Sequence, residues 1–229
     1  METQVYVNPR INQQIYLKDP LASDLGIKMI KSSVEMIHQL GYESFNFKKL
    51  GAHINSTEAS VYRYFPNKQR ILIYLAAWYW ESLNYQIKFQ TKGVSDPREK
   101  LAHSIKILVY ITEEMDNHSL LHLSQIQSIV IEQFYKILRT KNITEHNECG
   151  YFESFKRLCA TLASIINEID PEFKYPMTMS TSLVEMSINN RFCCNNLPSL
   201  TEIKCTKNQR NQIEDMINYF CSRLLKNCD

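Results

Sequence analysis

The sequence predicts an all-α protein: an N-terminal three-helix unit followed by a larger C-terminal helical domain. Two observations carry the prediction. Glycine and proline number only five and seven in 229 residues, which leaves long stretches free to stay helical. Helix-start signals precede those stretches at Asn46, Thr57, Asp96-Pro97 and Asp170-Pro171.

The N-terminal stretch VYVNPRINQQIYLKDP has neither a basic start nor an apolar centre, and residues 1–19 read as an extended arm. The first helix is expected over 21–40, with Ile27, Ile30, Val34 and Ile37 on one stripe. Asn46 can accept from the free N–H groups of a helix that begins at Phe47, in which Phe47, Leu50 and Ile54 share a face. Gly51 and Ala52 are small enough for a second helix to cross closely. Asn55 tolerates the left-handed conformation of a tight turn. Thr57 caps the next helix, with Glu58 near its positive end. Val61 and Phe65 then point inward, and Glu58, Ser60, Tyr62 and Arg63 outward. Pro66 ends that helix, because the residue before proline avoids the helical region.

Asn67 caps a long helix to about Gln90, apolar on most sides over its first three turns, as suits a helix joining two domains. After a break at 93–96, Asp96-Pro97 opens a helix to about Met115. A split or kinked helical region is expected over 118–138, a polar connection over 139–145 and a helix over 147–168. Asp170-Pro171 is read as the start of a helix to Phe192, followed by a loop over 193–207. The last helix is expected over 208–226, with Ile213, Met216, Ile217, Phe220 and Leu224 on one face. The expected domains are therefore a unit over 20–70 and a helical domain over 71–229.

Two short helices, a tight turn and an aromatic-basic cluster over 41–68 have the layout of a helix-turn-helix, whose second helix enters the DNA major groove. Charge agrees with this. The whole chain carries only +2, whereas residues 28–70 hold seven Lys/Arg against three Asp/Glu, leaving about −2 for the rest. Such a balance points to one local electrostatic footprint rather than a polybasic surface.

In detail, Gly41-Tyr42, Asn46, Asn55, Thr57 and the run Tyr62-Arg63-Tyr64-Phe65-Pro66-Asn67-Lys68 resemble the DNA-binding domain of the TetR family of bacterial transcriptional regulators. The likeness covers about residues 27–75. Asn55 stands where that family usually has glycine, Ser56 where a small apolar residue is usual, Tyr64 where histidine is common and Glu58 where lysine is frequent. Such changes bear on the operator sequence rather than on the fold.

What the resemblance implies is a recognition helix from Thr57 to Tyr64 lying in the major groove. Tyr62, Tyr64 and Lys68 would hold phosphates, helped by Asn46 and Lys48, while Glu58, Ser60 and Arg63 face base edges. It further implies a homodimer built on the last two helices, a palindromic double-stranded operator and a cytoplasmic repressor. A small-molecule effector, unidentified, would release it by moving the long helix. No cofactor is expected.

Enzyme chemistry finds no support, since there is no phosphate-cradling glycine loop and no nucleophile elbow. His118 and His122 stand four apart, as two metal ligands on one helix face would, but no recognisable metal motif is completed around them. Seven cysteines, an odd number, are read as reduced thiols; Cys193-Cys194 with Cys205 are open to metal binding or oxidant sensing. Trp78, Tyr79, Trp80, Tyr85 and Phe89 suit either a core or an effector pocket. The apolar run Ile71 to Trp80 is about half the length of a membrane span. Two further readings stay open: a helical interaction module that has lost DNA binding, and a metal- or thiol-dependent sensor.

Overall fold

A computed structural model describes residues 9–225; part of the expected arm (residues 1–8) and the end of the expected last helix (Lys226) lie outside the described residues. Among the described residues every regular element is helical. In chain order these are α1 (Asp24–Leu40), α2 (Phe47–His53), α3 (Glu58–Tyr62), α4 (Lys68–Gln90), α5 (Pro97–Val109), α6 (Glu113–Asn117), α7 (Leu123–Leu138), α8 (Ile143–Glu148), α9 (Glu153–Ile169), α10 (Pro176–Asn196) and α11 (Gln209–Leu224). No helix among the described residues is long and apolar enough to cross a membrane.

The described residues divide into two compact units, one of residues 9–81 together with Thr112–Ser154, the other of Ser82–Ile111 together with residues 155–225. In the first, α1 packs against α2 and α7, and its Met29, Ile30, Val34 and Ile37 are buried. Each such side chain contributes about 1.5–3 kcal/mol on burial. Trp78 and Trp80 of α4 are fully buried. Trp78 Nε1 donates to Ser119 Oγ at 3.3 Å, and Tyr79 OH accepts from Gln127 Nε2 at 3.0 Å. These three aromatics are thus core, whereas Tyr85 and Phe89 stack on each other at the surface. In the second unit α5, α10 and α11 pack together.

Several boundaries differ from the sequence expectation; the recognition helix expected from Thr57 to Tyr64, for one, is regular only over Glu58–Tyr62, and α8 begins inside the connection expected over 139–145. The helix from Asp96-Pro97 stops at Val109 instead of Met115, because Tyr110 turns extended and Thr112 accepts from the Met115 N–H to start α6. The helix expected from about 147 begins at Glu153, after α8 and a break at Gly150 with φ 74°. Asp170 builds a turn, its carboxylate accepting from the Glu172 N–H, and α10 starts only at Pro176. The same helix runs on to Asn196, so Cys193 and Cys194 are helical rather than in a loop.

Residues 9–19 of the expected arm are pinned to the first unit. Ile15 is buried, Asn12 Nδ2 donates to the carbonyls of Cys149 and Gly150, and the Leu17 N–H donates to the Tyr64 carbonyl at 2.8 Å.

Candidate nucleic-acid interface

Local capping sets up the two short helices. Asn46 Oδ1 accepts from the Lys49 N–H at 2.9 Å, and Thr57 Oγ1 accepts from the Ser60 N–H at 3.2 Å. Between them Asn55 has φ 56°, the left-handed turn its residue type permits. Gly51 makes the crossing possible, since a Cβ there would lie 2.9 Å from backbone atoms of both Thr57 and Glu58. Ala52, by contrast, is exposed and takes no part in it.

Phe47, Leu50, Ile54, Val61 and Phe65 are buried beneath the motif, as their spacing predicts. Above them Asn46, Lys48, Thr57, Glu58, Tyr62 and Arg63 are exposed on α2, α3 and their caps. Tyr62 is 48% exposed, with its ring set edge-on to Phe47 at 4.9 Å between centroids. The contact fixes the ring's direction while leaving its hydroxyl end available to a ligand.

Three of the expected site residues are placed differently. Ser60, expected to face outward, is only 7% exposed. Its hydroxyl shares a 2.9 Å hydrogen bond with Thr57 Oγ1 and accepts from Arg63 Nη2 at 3.2 Å, so it steadies the arginine. Tyr64 is 3% exposed and its hydroxyl shares a 2.7 Å hydrogen bond with Ser23 Oγ, the N-cap of α1. That bond, with Lys18 nearby, lowers the phenol's pKa. Lys68 turns its ammonium inward onto the carbonyls of Tyr42, Glu43 and Phe45, at 3.0, 3.3 and 3.4 Å.

Sequence reading missed the partners that hold this frame. Lys28 of α1 donates to the Ile54 carbonyl at 3.1 Å, closing the end of α2. Lys136 of α7 pairs with Glu43, and this hydrogen-bonded pairing lowers the Glu43 carboxyl pKa. Burial pushes the Tyr42 phenol up to about 12, so it stays neutral under the Lys68 and Lys136 ammoniums. No sequence spacing marks these contacts, which span more than twenty residues.

The surface so built has the geometry of a groove reader: a short helix, Glu58–Tyr62, held at both ends and presenting polar and aromatic groups. Residues 29–75 match the family described as bacterial regulatory proteins, tetR family. This segment matches the helix-turn-helix of the TetR family.

TetR-type architecture extends to the rest of the chain. AibR, solved in complex with isovaleryl coenzyme A and operator DNA, superposes with a TM-score of 0.56 at 13% identity, covering 84% of this chain and 95% of that one. The fatty acid degradation regulator FadR from Bacillus halodurans gives 0.56 at 17% identity, covering 86% and 95%. A tetR-family regulatory protein from Rhodococcus RHA1 gives 0.60 at 10% identity, covering 90% and 100%. At these identities the likeness establishes the fold: a TetR-type helix-turn-helix followed by a helical domain. No curated protein sequence matches the chain.

Elsewhere, the described residues contain no group of three His, Cys, Asp or Glu able to hold a metal ion. His118 Nδ1 lies 2.8 Å from the Glu114 carbonyl oxygen of its own helix, an ordinary local contact.

Proposed function

We propose that the chain is a sequence-specific DNA-binding transcriptional regulator: a homodimeric cytoplasmic repressor that a small-molecule effector releases from a palindromic operator. The observation that carries this reading is the exposed face of Asn46, Lys48, Thr57, Glu58, Tyr62 and Arg63 on a buried, capped frame. In this reading Lys48, Asn46 and Tyr62 meet phosphates, and Arg63 and Glu58 meet base edges. Ser60, Tyr64 and Lys68 act through their neighbours, by fixing Arg63, the entry to α1 and the 41–45 turn.

Residues 20–70 serve as the reader and 71–229 as the effector-binding and dimerisation part. Phe220 and Leu224 of α11, with Tyr175 and Met177 at the start of α10, leave an exposed apolar strip on the second unit. Pairing that strip with a second copy would supply the two-fold symmetry a palindrome requires. α4 runs unbroken from Lys68 to Gln90, so a ligand that favours one position of α4 would alter half-site spacing. The ligand of AibR makes coenzyme A thioesters the first compounds to try.

One residue favours a second reading. The exposed acid Glu58 repels phosphate, which suits a protein-interaction face that no longer binds DNA. A salt titration on random-sequence duplex separates the two. Under the regulator reading Lys48→Ala lowers the salt slope by about 1 and weakens all sequences alike. An unchanged slope and affinity would favour the interaction module.

A further inference from the structure

The C-terminal end of α10 and the connection after it bring two thiols together. Cys194 is buried on α10, and Cys205 is exposed in the connection. Cys205 Sγ lies 3.0 Å from the Oδ1 of Asn195, the residue that follows Cys194 on α10, and the two thiols are close enough to act on each other electrostatically. Several bonds hold the connection in this position. Thr201 Oγ1 donates to Asn190 Oδ1 at 2.9 Å, and the Lys204 N–H donates to Gln212 Oε1 at 2.9 Å. Gln209 Nε2 also donates to Asn195 Oδ1, at 3.3 Å. All these residues belong to one compact unit, so the contact is internal to it.

We propose that Cys194 and Cys205 form a reversible redox pair, which a hydroperoxide converts to a disulfide. Cys205 is the accessible partner and reacts first. With hydrogen peroxide, its thiolate attacks one oxygen, the O–O bond breaks, and the other oxygen leaves as hydroxide, which takes a proton to become water, giving the Cys205 sulfenic acid. The Cys194 sulfur then attacks the sulfenic sulfur, the S–O bond breaks, and hydroxide leaves with the Cys194 proton as a second water. Two thiols are oxidised and one peroxide is reduced to two waters. A dithiol reductant reverses the step. Burial shields Cys194 and raises its pKa, so the exposed Cys205 is the first of the two to be oxidised. Once formed, the bond would tie the connection before α11 to the end of α10. The pairing does not depend on whether the chain reads DNA.

The test is intact-mass analysis of the full chain after hydrogen peroxide, under denaturing conditions without reductant. The expected result is a loss of about 2 Da per chain and, after proteolysis, a Cys194–Cys205 linked peptide that a dithiol reductant removes. Cys205→Ser, a change at an exposed position whose folding is checked by circular dichroism, should abolish the loss. In Cys194→Ser the unresolved Cys205 should instead gain about 16 or 32 Da. Wild-type chains that gain oxygen at Cys205 without the link, that join chain to chain through Cys205, or that link other cysteines would overturn the proposal.

Discussion

Lys68 Nζ lies 3.0 Å from the Tyr42 carbonyl oxygen and 4.5 Å from the centre of the Tyr42 ring. The first residue of α4 thereby closes the turn between α1 and α2. Hydrogen bonds from a charged donor to backbone acceptors contribute more than neutral ones, so Lys68→Ala should destabilise the first unit by about 2 kcal/mol. Urea unfolding followed through the tryptophans checks this, because Trp78 and Trp80 lie in the core of that region. An unchanged midpoint would mean the ammonium is dispensable to the turn.

Gly51→Ala places a methyl group where only 2.9 Å separates it from the Thr57 and Glu58 backbone. Backbone cannot swing aside as a side chain can, so α2 and α3 must separate. A cost of about 1–3 kcal/mol is expected, with loss of DNA binding at temperatures where the rest of the chain stays helical. Thermal melts paired with binding assays measure both effects.

Where one residue caps another three positions on, the sequence was legible. Asn46, Thr57 and Asp96 each accept from a backbone N–H within three residues, and each starts a helix as expected. Asp170 offers the same local signal, yet its bond closes a turn and Pro176 begins the helix. Side-chain chemistry alone does not distinguish an isolated turn from the first turn of a helix; downstream packing decides. Contacts between distant residues left no trace in spacing. Ser23 with Tyr64 and Lys68 with Tyr42 turn two expected phosphate contacts inward, which could be read only once the elements had been brought together.

Arg63 and Glu58 occupy one exposed face with opposite charges, so their replacements should act in opposite directions. Arg63→Ala should weaken the preferred sequence by about 1–3 kcal/mol and relax its selectivity. Glu58→Gln should strengthen binding to non-specific duplex by removing a repulsive charge. Fluorescence anisotropy on specific and scrambled duplexes would measure both, and equal losses on the two duplexes for Arg63→Ala would contradict a base-reading role.

His146 packs against Tyr151 with ring centroids 4.9 Å apart, and Arg70 lies over the same tyrosine at 4.1 Å. Burial, then the Arg70 charge, lowers the imidazole pKa below its ordinary 6.5, against a smaller opposing pull from Glu145. The unfolded chain therefore takes up a proton before the folded one does. Stability from this site is intact above 6.5 and is lost as pH falls through the lower folded value. From about pH 7.5 to about pH 5 the wild type should lose more stability than His146→Gln. Parallel pH–melting curves for the two would remove His146 from the account.

Selection from random duplex DNA by the purified chain, with Tyr62→Ala beside it, is the most direct test of the central claim. The wild type should enrich a palindrome and the variant none, while both keep the same helical content. Enrichment that survives in Tyr62→Ala, or a wild type that binds every duplex alike, would contradict the assignment of the α2–α3 face as the DNA reader.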